Sequence, residues 1–229
     1  MSLRSSLTAS ALLTALLFSA TAATAQVRIT EVAPWSSGNS AVEADWFELT
    51  NFGSSAVDIT GWRVDDSSAS FGASLALNGV TSIGAGQSVI FIESTGAAND
   101  LFRSNWFGSA SYAGVVIGNY NGSGIGLSTS GDAVNIYNAS GVLQANVSFG
   151  ASDASSPFQT FDNSAGLNNV TLSPLSVVGT NGAYLTASGF EIGSPSLVPE
   201  PETYAMLLAG LGLLGSIARR RRNNGSLAA

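Results

Sequence analysis

DWFELTN, residues 45–51, alternates apolar and polar side chains. A two-residue period puts Phe47 and Leu49 on one face of an extended chain and Trp46, Glu48 and Thr50 on the other. Asn51-Phe52-Gly53-Ser54-Ser55 follows as a turn. The stretch reads as a β-strand with one face toward a core, and the same period recurs on either side. Upstream, VRITEVA (27–33) sets Val27, Ile29 and Glu31 against Arg28, Thr30 and Val32. Downstream, AVDITGWRVDD (56–66) puts Val57 and Ile59 together. Gly61 breaks the count there, and Trp62 and Val64 follow in shifted parity, as a β-bulge would arrange them. SVIFIES (88–94) is nearly continuously apolar from Val89 to Ile92, as in a strand buried on both faces. DAVNIYNASGVLQANVSFG (132–150) reads as a hairpin turning at Asn138-Ala139-Ser140-Gly141. No amphipathic helix is expected between Gln26 and Val198. Many strands at short spacing with Gly-rich turns predict an all-β sandwich.

Composition agrees with that class. The chain has 229 residues, 26 of them Gly, with 45% hydrophobic side chains, enough to build a core. It has no Cys, so no disulfide staples it, and neither His nor Lys. Between Gln26 and Val198 only Arg28, Arg63 and Arg103 oppose thirteen Asp and Glu. Such an acidic body repels phosphate backbones, so no nucleic-acid partner is expected.

Five short pieces in order carry a resemblance. They are Ile29-Thr30-Glu31-Val32, Asp45–Asn51, Val57-Asp58-Ile59-Thr60-Gly61-Trp62, Gly84–Ile90 and Ser130–Val134. Over about 26–150 the chain resembles a lamin-tail domain, which implies an immunoglobulin-like β-sandwich with Trp62 in its core. LNNVTLSPLSVV (167–178) and GAYLTAS (182–188) are expected to add strands, and EIGSPSL (191–197) to turn out into a linker. One domain is expected over 26–192.

The ends read as targeting segments. MSLRSSLTASALLTALLFSATAATAQ has a basic n-region at Arg4, an apolar run from Leu7 to Phe18 and a small-x-small site at Ala23-Thr24-Ala25. That predicts a signal peptide over 1–25, with an uncleaved membrane helix as the alternative. Near the other end, Pro199, Glu200 and Pro201 precede an apolar stretch and the cluster Arg219, Arg220, Arg221 and Arg222. Tyr204–Ala218 would be roughly 22 Å long as a helix, marginal for a hydrocarbon core of about 30 Å. The arginines would stay cytoplasmic. Linker 193–203 and segment 204–222 together resemble a PEP-CTERM sorting signal of Gram-negative bacteria. The resemblance implies a transient stay in the inner membrane as an anchored precursor. Processing by an exosortase-type membrane protease would follow, then delivery to the cell surface or extracellular matrix. An ordinary tail anchor is the alternative.

Without His or Cys the usual nucleophile–base pairs and zinc sites are missing. No catalytic residue, metal site or cofactor is expected, and the chain is read as a non-enzymatic structural or binding module. Glu31, Asp45, Glu48, Asp65 and Asp66 are read as solvated carboxylates at strand edges and turns. Trp35 and Trp106 lie in Gly/Ser-rich, loop-like surroundings and are the candidate ligand contacts. They leave open a carbohydrate-binding module for exopolysaccharide; a secreted hydrolase is the further alternative.

Overall fold

The computed structural model describes residues 27–34, 41–122, 124–152 and 155–196, with Leu211 alone beyond them. The expected signal peptide, the Pro-Glu-Pro motif, the apolar segment apart from Leu211, the arginine cluster and Trp35 lie outside the described residues. The elements begin with β1 (Val27–Ala33), β2 (Trp46–Asn51), β3 (Val57–Asp58), β4 (Arg63–Asp65), β5 (Leu75–Ala76), β6 (Ser82–Ile83) and β7 (Ser88–Glu93). Helix α1 (Asn99–Phe107), β8 (Val116–Tyr120), β9 (Asp132–Tyr137) and β10 (Leu143–Phe149) follow. The last are β11 (Phe158–Gln159), β12 (Phe161–Asp162), β13 (Val170–Leu172), β14 (Tyr184–Leu185) and β15 (Glu191–Gly193).

Two five-stranded sheets form the sandwich, β12-β1-β2-β7-β8 and β13-β10-β9-β4-β5. The alternation of DWFELTN is obeyed: Phe47 and Leu49 enter the core between the sheets, while Trp46 points to the opposite face. Phe47 stacks on Phe91 at 5.7 Å, and Phe149 meets Phe161 at 5.1 Å. Trp62 is buried there too. Each fully buried aliphatic or aromatic side chain contributes roughly 1.5–3 kcal/mol. The 132–150 hairpin forms as read. Gly141 takes φ 78°, and the Asn138 carboxamide oxygen accepts from the Ser140 and Val142 amides.

Three expectations need correction. In β1 the register slips between Ile29 and Glu31, so Val32 joins Val27 and Ile29 in the core and Glu31 lies on the other face. A bulge flips parity in this way. Gly61 is not in a bulge: Trp62 N–H donates to Ile59 C=O at 3.0 Å across a β-turn whose third residue, Gly61, has φ 74°. Only a residue that accepts positive φ fits there, and the turn carries the chain from β3, paired with β6, to β4 in the second sheet. Finally, Asn99–Phe107 is a helix.

That helix explains why β7 is buried on both faces. Val89 and Phe91 face the sandwich core, whereas Ile90 and Ile92 face a second cluster with Trp46, Phe102 and Trp106. Phe102 and Trp106, four residues apart, point to one side of α1 and cap the outer face of the first sheet. Gly108 ends the helix in the left-handed region, its N–H on Ser104 C=O. A small sheet, β11-β15-β14, lies at the same outer layer.

Candidate functional site

The polar residues of the first sheet's outer face gather beside the second cluster. Bulged β1 and straight β2 set Glu31 and Glu48 opposite each other, and both are almost fully buried, at 1% and 2% exposure. Neither is solvated, contrary to expectation. Glu31 Oε1 accepts from the Thr160 hydroxyl and from Ser194 N–H at 2.7 Å. Glu48 Oε1 accepts from Thr30 at 2.5 Å and Thr50 at 3.3 Å, and its Oε2 from Ser196 N–H at 2.5 Å. The Ser194 and Ser196 amides belong to the chain leaving β15. Gly193 is required in that passage: a Cβ there would lie 2.5 Å from Glu31 Oε1 and 2.9 Å from Trp106.

No cation offsets these carboxyls among the described residues. Arg63 bonds Ser74 and lies over Phe71, Arg103 pairs with Asp100, and Arg28 donates to Val27 C=O. Burial, and then the charge of Glu48, push Glu31 up to about 8. Burial raises Glu48 to about 7 against the opposing pull of the hydroxyl and amide donors. Glu31 Oε2 has no hydrogen-bond partner among the described residues. A neutral carboxyl tolerates that far better than an ionised one, so near neutrality the pair holds a proton.

The other expected carboxylates are dispersed. Asp45 is buried and accepts from Leu127 N–H at 2.9 Å. Glu93, half-buried, is raised to about 7 by desolvation and by Asp45. Asp65 is buried and organises the following loop through Ser68 Oγ and Ser70 N–H. Asp66 Oδ1 accepts from Ser68 N–H at a turn. Among the described residues no three or more His, Cys, Asp or Glu side chains are placed to hold a metal.

Next to the glutamates lies an open pocket of about 410 Å³ lined by Trp106, Phe107, Tyr112, Tyr184 and the exit residues Pro195 and Ser196. Trp106 is not exposed on a loop: it sits in α1 at 3% exposure, edge-on to Trp46 at 5.5 Å and to Tyr184 at 5.7 Å. Tyr184 donates its hydroxyl to Trp106 C=O at 3.0 Å. The open aromatic is Tyr112, 41% exposed and stacked on Phe107 at 4.6 Å. Sequence reasoning missed Phe107, Tyr112 and Tyr184. The four-residue spacing of Phe102 and Trp106 was the legible sign of the helix that positions them, whereas Tyr184 comes from a strand almost eighty residues away.

The model of the lamin tail domain matches residues 20–151, and the model of the PEP-CTERM protein-sorting motif matches residues 197–222. No curated protein and no solved structure matches the chain. Past residue 151, β12 completes an edge of the first sheet and β13 an edge of the second, so the sandwich draws on residues beyond the matched span. With more than half its length in that match, the chain belongs to the lamin tail domain family, and it carries a PEP-CTERM sorting motif directly after the last described residue of its sandwich.

Proposed function

We propose that this is a non-enzymatic structural or binding module that an exosortase-type enzyme delivers to the surface or extracellular matrix of a Gram-negative bacterium. The coarser part follows from the motif, which marks an exported protein anchored in the membrane before processing. The observation that carries the rest is adjacency: the last strand, β15, ends at Gly193 and the sorting motif begins at residue 197. Only residues 194–196 lie between them. In this reading residues 1–25 direct export, 26–192 form the body, 193–203 lead out with Pro199, Glu200 and Pro201, and 204–222 form the apolar segment with its arginines. Cell fractionation with and without replacement of Pro199–Pro201 tests it. The intact chain should reach the surface or medium, and the variant should stay in the membrane. Equal surface delivery of both refutes the reading.

A second reading, carbohydrate binding, is favoured by the aromatic pocket. Sugar rings bind on exposed aromatic faces, and pockets lined by aromatic side chains with few polar groups are common ligand sites. The contact would be Tyr112 on Phe107, with Trp106 supporting them from within the core. Retention on the cell's own exopolysaccharide, lost on Tyr112→Ala, is the expected result. No retention of the unaltered chain leaves the structural module.

A further inference from the structure

The exit from β15 limits which side of the body can turn toward a bilayer. Ser194 N–H donates to Glu31 at 2.7 Å and Ser196 N–H to Glu48 at 2.5 Å, so the chain stays on the outer face of the first sheet as far as Ser196. In the proposed arrangement the apolar segment starts at residue 204. The eight steps from Ser196 to that point span at most about 29 Å, whereas a body of this size is roughly 40 Å across. A tether shorter than the body cannot reach around it. The layer that holds the exit and the small β11-β15-β14 sheet is therefore the one kept nearest the membrane, and the second sheet is turned away.

That small sheet has an apolar outer face. Phe158 and Glu191 are buried on its inner side. On the other side Leu185 lies directly opposite Ile192 across β14 and β15. Phe190 stands two residues before Ile192 and so on the same side, and its C=O keeps it in the ladder by accepting from Phe158 N–H at 2.8 Å. Leu185 and Phe190 are 47% and 49% exposed. Single exposed apolar side chains are ordinary; a row of them marks a contact surface. Charge is depleted in the same stretch. Of the thirteen Asp and Glu between Gln26 and Val198, only Asp162 and Glu191 fall within 155–196, and no Arg does. Asp162 belongs to β12 of the first sheet and Glu191 is buried, so the small sheet sets no charge of its own on that face. We propose that Leu185, Phe190 and Ile192 form a membrane-resting face, which lies against the headgroup–acyl boundary of the bilayer while the precursor is anchored. This rests on the anchored stage that the sorting motif marks. Two forces select the face. Anionic lipid repels the acidic remainder of the body but not an uncharged sheet, and interfacial binding grows with the apolar area that leaves water.

The chain has no Cys, so one introduced thiol can carry a fluorophore. Ala187→Cys places it in the exposed turn between β14 and β15, and Val142→Cys in the exposed turn between β9 and β10 of the second sheet. Each full-length variant is reconstituted into vesicles of phosphatidylethanolamine and phosphatidylglycerol, a fraction of them bearing a nitroxide quencher at the headgroup. The label at 187 should be quenched and the label at 142 should not. Adding Leu185→Ser and Phe190→Ser should lower the docked-to-free ratio about tenfold or more, the transfer of two half-exposed apolar side chains, while the chain still floats with the vesicles. Flotation without quenching at 187 overturns the proposal and leaves the anchored stage standing; failure to float overturns both. Equal quenching at 187 and 142, or quenching that survives both serines, also overturns it. So does a shift in emission at 187 that follows protein-to-lipid ratio without quenching, which is contact between copies. If the double-serine variant loses its β spectrum by circular dichroism, Leu185→Ser alone must reduce the quenching, and unchanged quenching overturns the proposal equally.

Discussion

Replacing Trp106 with Ala separates a core residue from a ligand contact. The indole is 3% exposed and packs edge-on against Trp46 and Tyr184, with Phe102 at 6.0 Å. It is the wedge between α1, the first sheet and β14. Large-to-small changes of this kind remove the transfer free energy and leave a cavity, together roughly 3–5 kcal/mol. For a body of this size that corresponds to a fall in Tm of about 6–20 °C, at ~2–4 °C per kcal/mol. Urea denaturation followed by far-UV circular dichroism measures it without relying on the deleted fluorophore. Trp106→Phe should recover much of the loss. It keeps the ring contacts and discards a buried indole N–H that has no hydrogen-bond partner among the described residues. Tyr112→Ala, at an exposed ring, should change stability by less than about 1 kcal/mol. A loss below about 1 kcal/mol for Trp106→Ala would refute the core placement.

The glutamate pair sets a pH profile. Because Glu31 and Glu48 are raised from 4.5 to about 8 and 7, their contribution is greatest below pH 4.5 and declines as pH climbs to 8. At up to ~1.4 kcal/mol per pH unit for each linked proton, a loss on the order of 6 kcal/mol between pH 5 and 8, summed over both carboxyls, should appear in urea midpoints; a flat profile would show the pair is hydrated. Gly61→Ala forces a side chain into φ 74° with its Cβ 3.1 Å from that of Ala139, and thermal melts should show a loss of about 1–2 kcal/mol. Asn51→Leu deletes donations to Ser55, Ile83 and Gly84 carbonyls and acceptance from Gly53 N–H. With the site buried, roughly 1–3 kcal/mol should be lost for each group left unsatisfied, again read from urea midpoints.

Much of the sandwich was legible in linear order. Alternation is a local property, so Phe47 with Leu49, the doubly buried β7 and the 132–150 hairpin could be read without knowing any partner strand. The sorting motif at 197–222 is likewise written in a short contiguous run. What failed was whatever depended on a neighbour distant in the chain. A bulge in β1 reverses parity after Ile29, so alternation alone assigned Glu31 and Val32 to the wrong faces. Trp106 looked exposed because Ser104, Asn105, Gly108 and Ser109 lie around it, and its four-residue spacing from Phe102 is a short signal beside them. Carboxylates in strand and turn sequences read as solvated edge charges, because nothing in the linear order marks which of them the fold will cover. Only the folded chain brings Thr160, Ser194 and Ser196 over Glu31 and Glu48, from as far as 163 residues away, and supplies the desolvation that leaves a proton there. Local pattern determined which segments become strands; long-range closure decided which of their polar residues lose water, because desolvation is a property of the assembled layers and not of any one of them.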